Sequence, residues 1–526
     1  MSMFILETQP VLTTEQIRAA DAWTIEHEPI SSIDLMERAS RAFVDELLAT
    51  YGEPWDVHIY CGTGNNGGDG LAIARMLLEM DCDVYVLVVG DIEQGTEDFK
   101  TNLERYNALV KEKQEAYETD DAIDEAYKAR EISYIEPGER IWALPTEEEY
   151  LLIDALIGSG LNRPLEGQLA DMAKRISICV AWKVSVDIPS GMFADKANAP
   201  EDIIFKADQT ITFQVPRQAF LLPKTGPKAG RWSAVDIGLS KKFIEEQETN
   251  WYCINRLTVP PREKFSHKGN YGHALLMAGS KGMIGAAIFA AQSCLRSGVG
   301  KLTVACPAIG YNIIQNNVPE AMVKSDKETD VLANIPGELD GYDAIGFGPG
   351  VGTHKITAQL MQMILENFKG RIVLDADAIN LLAKYPALWP LIKGRAILTP
   401  HPGEFKRLVG EYDDDWQAIE MLRKFAMDNE VCILLKGAHT AIAGPDGKVW
   451  FNMTGNPGMS TAGSGDVLTG IITALACRTD DITLAAQAGV FMHGLAGDLG
   501  AVDLGYEGLI ASDIIDYLPR AILKLS

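Results

Sequence analysis

Paired cysteines, long apolar runs and an excess of basic residues are all missing from this sequence of 526 residues. The eight cysteines are scattered without a C-x-x-C pair, which is typical of reduced thiols and argues against a zinc site. No apolar stretch is long enough to cross a bilayer, and residues 1–14 lack the basic start and apolar core of a signal peptide. We therefore expect a cytoplasmic protein that contacts no membrane.

The charge balance is acidic, with 47 lysines and arginines against 73 aspartates and glutamates and a net charge of −26. A nucleic-acid surface would need a basic face, so we expect no nucleic-acid partner. A small anionic ligand stays compatible with this charge, since a few local N–H groups and cations suffice to bind a phosphate.

The length predicts more than one domain, because a single hydrophobic core seldom grows this large. The composition turns polar around residues 241–261, where Pro260 and Pro261 interrupt the chain. We predict a first domain over residues 1–240, a linker over 241–261 and a second domain over 262–526.

In both halves, short apolar runs alternate with helical patterns. The first half has a helical periodicity over 14–50 and 71–79, and its predicted strands are 57–60, 84–89, 151–153 and 184–186. The second half opens with a strand and a small-residue helix over 285–297, and its predicted strands are 274–278, 302–305, 344–347, 372–374, 396–398 and 433–435. This alternation predicts two α/β domains with parallel sheets, whose ligands bind beyond the carboxyl ends of the strands. Residues 91–150 are predicted as solvated helices and loops without chemistry.

The most informative segment is NPGMSTAGSGDVLTG, over residues 456–470, in which small residues surround a single acid, Asp466. Its glycines let a ligand approach the backbone, and a helix that begins here would direct N–H groups and its positive dipole end at an anion. Asp466 would then be placed to take a proton from a hydroxyl group. An ordinary glycine-rich loop with a helix-capping aspartate is the alternative.

Four further segments of the second half can belong to the same site. They are GFGPGVG over 346–352, DADAIN over 375–380, TPHPGE over 399–404 and KGAHT over 436–440. Glycines of the first segment suit close ligand approach, and Lys436 suits a nucleotide phosphate. His401 lies in a loop stiffened by prolines and is predicted to contact a ligand. Helix capping is the alternative for the acids, and a solvated turn is the alternative for Lys436.

The order of these segments resembles the ribokinase-like superfamily. The HKGNYG opening at 267–272 and the TPHPGE loop are similar to the NAD(P)H-hydrate dehydratase branch, and the resemblance covers residues 266–523. It implies a ribokinase-like α/β domain that dehydrates the S form of NADH hydrate and NADPH hydrate to NADH and NADPH. Hydrolysis of ADP to AMP, or of ATP to ADP, and phosphate would drive the reaction with Mg²⁺ present. A compact fused chain favours ADP.

The resemblance also implies residue roles. Asp466 is the general base, and the backbone N–H groups of residues 462–465 stabilise the transferring phosphoryl group. The residues implied to contact the hydrate are Ala286, Gly350, His401 and Asp466. Those implied to hold the adenine nucleotide are Lys436, Gly437, Ala438, His439, Thr440 and Gly465. A small-molecule kinase of the same superfamily is the alternative, and it would release a stable phosphorylated product.

Polar residues also follow the predicted strands of the first half. The turn NNGGDG, over 65–70, connects a strand to a helix, and Asp154 and Asp187 each end a strand. Asn66, Asp154 and Ser190 offer hard oxygen ligands, which suit an alkali or alkaline-earth cation.

NNGGDG together with DIPSG, over 187–191, resembles the NAD(P)H-hydrate epimerase family over residues 12–240. The resemblance implies a Rossmann-like parallel-sheet domain that interconverts the R and S hydrates, with K⁺ held by Asn66, Asp154 and Ser190. Asp187 is the candidate proton donor and acceptor, and Asp69 is the alternative. The residues implied to contact substrate are Asn65, Asn66, Gly67, Gly68, Asp69, Gly158, Ser159, Gly160, Leu161, Asn162, Arg163, Pro164 and Asp187. The segment GMFAD at 191–195 departs from the GLDAD of many members.

The two resemblances together predict a bifunctional enzyme of nicotinamide-nucleotide repair. An epimerase makes chemical sense beside a dehydratase that accepts one epimer, because it converts the other epimer into substrate. A homo-oligomer of four or more chains is also implied by the resemblance. A non-catalytic nucleotide-binding scaffold is a second alternative, although Asp69, Asp154 and Asp187 are all present.

Overall fold

The computed structural model describes residues 4–53, 56–117, 132–135 and 150–526. These form two compact units, one made of Met1–Gln9 with Asn250–Ser526 and the other of Pro10–Thr249. Strand β1 (Ile5–Pro10) belongs to the sheet of the first of these units. The predicted solvated segment 91–150 lies outside the described residues over 118–131 and 136–149.

The unit of residues 10–249 contains a seven-stranded sheet in the order β4-β3-β2-β5-β6-β7-β8, and each neighbouring pair is parallel. The strands are β2 (Asp56–Cys61), β3 (Asp83–Val89), β4 (Ser133–Ile135), β5 (Leu151–Ala155), β6 (Trp182–Val186), β7 (Gln209–Phe213) and β8 (Arg231–Val235). The helices are α1 (Thr14–His27), α2 (Ser32–Tyr51), α3 (Asn65–Glu79), α4 (Glu97–Tyr117), α5 (Gly167–Ser177), α6 (Gly226–Ala229) and α7 (Lys241–Glu245).

The helical periodicity over 14–50 belongs to two helices in the structure. Thr13 begins α1 with a capping box to Gln16, and α1 ends just before Pro29. Proline cannot donate a backbone hydrogen bond and disfavours helical geometry in the residue before it, so the helix stops here. Ser31 then caps α2 by accepting a hydrogen bond from the N–H of Asp34.

The unit that contains residues 250–526 has an eleven-stranded sheet in the order β1-β9-β18-β17-β16-β15-β14-β13-β10-β11-β12. Its further strands are β9 (Trp251–Thr258), β10 (His273–Met277), β11 (Lys301–Cys306), β12 (Met322–Ser325), β13 (Ala344–Phe347), β14 (Arg371–Leu374), β15 (Ala396–Leu398), β16 (Cys432–Leu435), β17 (Ala441–Ala443) and β18 (Val449–Asn452). Its helices are α8 (Ile284–Arg296), α9 (Tyr311–Asn317), α10 (Lys355–Asn367), α11 (Asp377–Lys384), α12 (Pro402–Val409), α13 (Asp415–Asn429), α14 (Ser464–Ala476), α15 (Ile482–Gly508) and α16 (Ala511–Lys524). Strands β10 to β16 pair in parallel, whereas β17 is antiparallel to both of its neighbours.

The division of the chain differs from the predicted one in two places. The predicted linker 241–261 contains α7 and the whole of β9, which pairs with β18. Residues 5–9 of β1, predicted in the first domain, lie in the sheet of the second. The polar composition of the linker concealed the buried side chains Cys253, Ile254 and Leu257, which fix β9 in the sheet.

All eight cysteines are free, and all except Cys179 are buried. Among the described residues, no helix combines the length and the apolar character that crossing a membrane requires.

Candidate active sites

A cavity of about 580 Å³ opens at the carboxyl ends of β2, β5 and β6. The turn over 62–66 forms one wall and the segment 156–160 forms another. Helix α1 contributes Arg18 and Asp21, and Asp187 and Arg217 complete the polar lining. The cavity therefore lies where a parallel sheet offers a ligand site.

The glycine-rich sequence over 65–70 forms the first turns of α3. A Cβ atom on Gly67 would lie 1.8 Å from the carbonyl oxygen of Gly62, so only glycine lets the helix start this close to the turn before it. The first N–H groups of a helix have no acceptor within the helix. Helix α3 begins at Asn65, which lines the cavity. The first N–H groups of α3 can therefore donate hydrogen bonds to an oxygen-rich ligand in the cavity.

Asp154 is a buried carboxylate surrounded by donors. Its Oδ1 accepts from Ser190 Oγ at 2.6 Å, and its Oδ2 accepts from the Ser190 N–H at 2.8 Å and from Ser185 Oγ at 3.0 Å. Burial raises the pKa of Asp154 despite these hydrogen bonds. A cation beside this carboxylate would offset the cost of burying its charge.

Asn66 lies beside the same loop. In the amide orientation that satisfies both groups, Asn66 donates to the carbonyl of Val186 and accepts from the Gly158 N–H, each at 3.3 Å. No group of three or more acids, histidines or cysteines in the described residues is arranged to hold a metal ion. One carboxylate with neutral amide and hydroxyl oxygens fits a monovalent cation better than a divalent one.

Asp187 is held in a constrained and charged state. Its backbone has a φ of 64°, a region that non-glycine residues seldom adopt. Its Oδ1 accepts from Arg217 Nη2 at 2.5 Å and from Thr212 Oγ1 at 3.1 Å, and its Oδ2 accepts from the Ser159 N–H at 3.3 Å. Burial alone would raise the pKa of Asp187, but the Arg217 charge and these donors bring it below its ordinary value. Asp187 is therefore ionised at neutral pH.

Two more carboxyl groups of this cavity titrate differently. Burial, with the charges of Asp187 and Asp21, raises the pKa of Asp69 well above its ordinary value. Burial also raises the pKa of Asp21 to about 6, although Arg217 opposes this shift. A carboxyl group kept protonated beside an ionised one can supply an acid and a base in the same cavity.

The structure separates the predicted substrate residues of this domain into three groups. Those that line the cavity are Asn65, Asn66, Asp69, Gly158, Ser159, Gly160 and Asp187. Gly67 and Gly68 are buried within α3. Residues 161–164 are not part of the cavity lining in the described chain, and most of them are exposed. Asp21 and Arg217 were not predicted as site residues, although Asp21 ends the segment 16–21, which resembles the opening of the epimerase family.

In the other unit, Asp375 is the buried centre of a polar cluster. Only 2% of its surface is exposed. Its Oδ1 accepts from Thr399 Oγ1 at 2.6 Å and from Lys436 Nζ at 3.0 Å, and its Oδ2 accepts from Thr469 Oγ1 at 2.7 Å. These bonds connect the carboxyl ends of β14, β15 and β16 with α14. The Lys436 charge and the hydroxyl donors outweigh burial and lower the pKa of Asp375.

Asp466 lies in the first turn of α14, close to this cluster. Burial and the negative charge of Asp375 raise its pKa to about 6, while Lys436 opposes the shift. Gly463 precedes the helix with a φ of 90°, and a Cβ atom on it would lie 2.7 Å from the ring of Phe289. The segment 462–466 thus brings a carboxylate of near-neutral pKa and free helix N–H groups to one place.

The predicted contacts on α8 and after β13 are neighbours. A Cβ atom on Gly350 would lie 3.4 Å from Ala286 Cβ and 2.9 Å from Met283 Cβ. Gly348 has a φ of 135°, and a Cβ atom there would meet the carbonyl oxygen of Asp375 at 1.9 Å. The glycines therefore let the turn after β13 pack against the strand end that carries the polar cluster.

His401 serves as a helix cap. Its Nδ1 accepts from the Gly403 N–H at 3.0 Å, and its own N–H donates to Glu404 Oε2 at 2.9 Å. This capping box explains the HPGE sequence locally. The His401 Nε2 lies 3.4 Å from Glu404 Oε1, but 52% of the side chain is exposed, so the ring can still meet a ligand.

The segment 436–440 turns tightly after β16. Thr440 Oγ1 lies 3.4 Å from the Gly437 N–H and 3.2 Å from the Gly437 carbonyl, and His439 lies 3.3 Å from the carbonyl of Asn452. Gly465 lies against Lys436, since a Cβ atom on it would be 3.5 Å from Nζ. The predicted nucleotide residues Lys436 and Gly465 therefore lie together.

His493 was not predicted as part of this site. Its Nε2 lies 3.3 Å from Ser464 Oγ at the start of α14. Burial, with the positive charge of Lys436, lowers the pKa of His493 to about 4, so the ring is neutral. It stands in the middle of an apolar helix sequence, where no motif indicates its role.

Replacing Asp375 with asparagine should lower the local free energy of unfolding by about 3 kcal/mol, because Lys436 loses its counter-charge and two hydroxyl donors face an amide. Hydrogen exchange of the β14 and β15 amides, resolved by mass spectrometry, measures this loss. The exposed Asp516, changed to asparagine, is the control. Equal protection in the two variants would show that the Asp375 cluster does not stabilise the sheet.

Two protein families match the chain. NAD(P)H-hydrate dehydratase matches residues 274–520, and the YjeF-related protein N-terminus matches residues 32–219. The bifunctional NAD(P)H-hydrate repair enzyme of Moorella thermoacetica is 34% identical, over 98% of this chain and 97% of that protein. The chain belongs to this repair-enzyme family. Its fold class, two α/β domains of the predicted kinds, and the predicted family are thereby confirmed.

Other members of the repair-enzyme family and a solved structure are also similar. The bifunctional enzyme of Thermofilum pendens is 32% identical, over 98% of this chain and 96% of that protein. A crystal structure of the ADP/ATP-dependent NAD(P)H-hydrate dehydratase from Bacillus subtilis, co-crystallised with ATP and Mg²⁺, is 33% identical. The match covers 51% of this chain and 95% of the chain in that crystal structure, with a TM-score of 0.44.

Proposed function

We propose that this chain is a bifunctional repair enzyme that epimerises NAD(P)H hydrate in the unit of residues 10–249 and dehydrates the S form in the other. The observation that carries the dehydratase assignment is the grouping of Asp466, Lys436 and Asp375 at the start of α14. The epimerase assignment is supported by the cavity that joins Asp187, Asp69 and the turn over 62–66.

Dehydration needs a better leaving group than hydroxide. Asp466 takes the proton of the ring hydroxyl, whose oxygen then attacks the terminal phosphorus of ADP or ATP. The bond from this phosphorus to the bridging oxygen breaks, and AMP or ADP leaves with its electron pair. The N–H groups of residues 462–465 stabilise the charge on the transferring phosphoryl group. The C–O bond then breaks, phosphate departs with the bonding pair, and loss of a ring proton restores the dihydronicotinamide. Ala286, Gly350 and His401 contact the hydrate, and residues 436–440 with Gly465 hold the nucleotide.

Mg²⁺ bound to the nucleotide would neutralise phosphate charge. The described residues contain no cage of three or more acids, histidines or cysteines for it. This fits an ion that is held mainly by phosphates and water with one or two carboxylates, for which Asp377 is a candidate.

Epimerisation requires the hydroxyl group to leave and water to return on the other face. The ring nitrogen expels the oxygen, which takes a proton and leaves as water, and an iminium ring remains. Asp187 accepts the proton of the returning water, and a protonated carboxyl group, Asp69, supplies the proton to the departing oxygen. The ligand would contact further residues that line the cavity, namely Asn65, Gly158, Ser159 and Gly160.

A potassium ion held by Asn66, Asp154 and Ser190 fits the single carboxylate and neutral oxygens found there. Bound there, it would supply a positive charge that offsets the buried carboxylate of Asp154. Replacing K⁺ with tetramethylammonium should slow epimerisation about tenfold, the loss expected when about 1.4 kcal/mol of stabilisation is removed. Chromatography of the epimers measures the rate, and dehydration of the S form is the control. Equal epimerisation rates in the two salts would count against the cation site.

The function is tested by supplying the purified protein with the separated epimers, ADP or ATP, Mg²⁺ and K⁺. We expect NADH and phosphate to form in equal amounts from the S form, and the R form to be converted to it. Running ADP and ATP in parallel identifies the nucleotide. A stable phosphorylated product without NADH would instead identify a small-molecule kinase.

We further propose a cytoplasmic homo-oligomer of four or more chains. Light scattering of the purified protein measures its mass, and a monomer of 57.4 kDa would contradict this proposal.

A further inference from the structure

The loop over 453–463 connects β18 to the start of α14 and lies directly on α15. Two glycines of α15 allow this close approach. A Cβ atom on Gly494 would lie 2.6 Å from the carbonyl carbon of Thr454, so a side chain at this position would displace the loop backbone. A Cβ atom on Gly497 would lie 2.3 Å from Met459 Sδ, so the Met459 side chain takes the space that this glycine leaves. The loop is therefore packed against one face of α15.

Polar side chains of α15 hold this loop at both ends. Where the loop begins, Asp498 Oδ2 accepts from the Gly455 N–H at 2.9 Å, and its Oδ1 accepts from Asn456 Nδ2 at 3.0 Å. Where the loop enters α14, His493 Nε2 lies 3.3 Å from Ser464 Oγ. The path of the loop from β18 to α14 is thus fixed from a single helix.

The carboxylate of Asp498 matches its surroundings in hydrogen-bonding type. A carboxylate has only acceptors, and both groups that face it in the loop are donors. The second partner, Asn456, is itself engaged twice, because its Oδ1 accepts from the Gly458 N–H at 3.0 Å and begins a short turn over 457–459. Asp498 therefore fixes the amide that shapes the next part of the loop.

The position of this loop matters because it leads into the proposed catalytic groups. The N–H groups of residues 462–465 and the Asp466 carboxylate follow it directly, whereas the segment 436–440, proposed to hold the nucleotide, follows a different strand, β16. A catalytic group that is misplaced by about 1 Å can cost about a hundredfold in rate. Displacement of the loop should therefore slow the chemical step and leave nucleotide binding largely intact.

We propose that Asp498 is a positioning residue of the dehydratase. It holds the loop over 453–463 on α15 and thereby directs the N–H groups of residues 462–465 at the transferring phosphoryl group and Asp466 at the ring hydroxyl. Asp498 acts through the loop and takes no part in proton transfer. This inference rests on the proposed dehydratase function.

The test exchanges the amide and the carboxylate between positions 456 and 498. In Asp498→Asn, one donor faces another in every orientation of the two amides, so kcat for dehydration of the S hydrate should fall about thirtyfold while KM for the nucleotide changes about threefold or less. Asn456→Asp, which places two carboxylates together, should have a similar effect. The double variant restores all three hydrogen bonds and the net charge, and its kcat should return to within about fivefold of the wild type.

Asp503→Asn is the control, because Asp503 also lies on α15 but accepts from Tyr517 and Arg520 of α16. It should keep the wild-type kcat. If Asp498→Asn does not melt cooperatively, Asn456→Ser replaces it, since serine keeps an acceptor and lacks the amide donor, with an expected loss of about tenfold in kcat.

Three results would overturn the inference. They are a folded Asp498→Asn variant with wild-type kcat, a loss confined to KM for the nucleotide, and a double variant that is as slow as Asp498→Asn. A purely structural role would lower the melting temperature without this rescue of kcat. If the wild type itself forms no NADH from the S hydrate, the proposed dehydratase function is refuted instead.

Discussion

Dehydration should become about a thousandfold slower when Asp466 is replaced by asparagine, because the variant has no base to take the hydroxyl proton. The amide keeps nearly the same shape at the start of α14, so the nucleotide should still bind. Formation of NADH from the S hydrate with ADP and Mg²⁺, followed by absorbance, measures the effect. Epimerisation by the other unit should be unchanged.

The exposed Asp516 provides the matched control, because Asp516→Asn makes the same chemical change on α16 outside the cluster. Turnover by the Asp466 variant at the rate of this control would show that the base is another group. Loss of epimerisation together with dehydration would indicate general misfolding, which melting curves detect.

The pH dependence follows from the same carboxylate. The pKa of Asp466 is raised to about 6, so the basic form is present above this value and disappears as the pH falls through it. At saturating nucleotide, kcat should therefore decline below about pH 6. Lys436→Met removes a charge that lowers this pKa, and the acidic limb should move to higher pH. If the pH at which kcat declines is the same in Lys436→Met and the wild type, Lys436 does not affect the pKa of the base.

Epimerisation should fall about a thousandfold in Asp187→Asn, since the substitution removes the one carboxylate of the cavity whose pKa is held below its ordinary value. Arg217 then loses its counter-charge, and the water loses its proton acceptor. Chromatographic separation of the R and S hydrates over time measures the rate. Dehydration of the S form serves as the internal control for folding of the chain.

Asp171→Asn is a second control, because Asp171 pairs with Arg175 on the exposed face of α5. It should leave epimerisation intact. Should Asp69→Asn abolish the reaction while Asp187→Asn does not, the base is Asp69 and the assignment of acid and base is reversed.

Much of the arrangement around the sheets could be predicted from the sequence. Polar residues after apolar runs mark the carboxyl ends of parallel strands, and this pattern places Asp154, Asp187 and Asp375. Strand β9 could not be predicted, because its alternating polar residues resemble a linker and its pairing with β18 is long-range. Proline at position 29 is a helix breaker that the sequence shows, and it separates α1 from α2 within the helical periodicity over 14–50.

The cavity lining is harder to predict than the strand ends. Arginine is usually exposed, so nothing in the sequence around Arg217 indicates a buried ion pair. Asp21 lies on an amphipathic helix, where an acid is usually solvated. Even the family match begins at residue 32 and does not include it. His401 shows the converse, since the sequence predicts a ligand contact, whereas the structure shows a helix cap and leaves the ligand role to be tested.

The most direct test of the two-site account starts from the pure R hydrate of NADH with ADP or ATP, Mg²⁺ and K⁺. NADH should form with one phosphate per molecule in the wild type, only S hydrate should accumulate with Asp466→Asn, and little should change with Asp187→Asn. Equal recovery of NADH by the Asp466 variant, or R hydrate that persists with the wild type, would contradict the account.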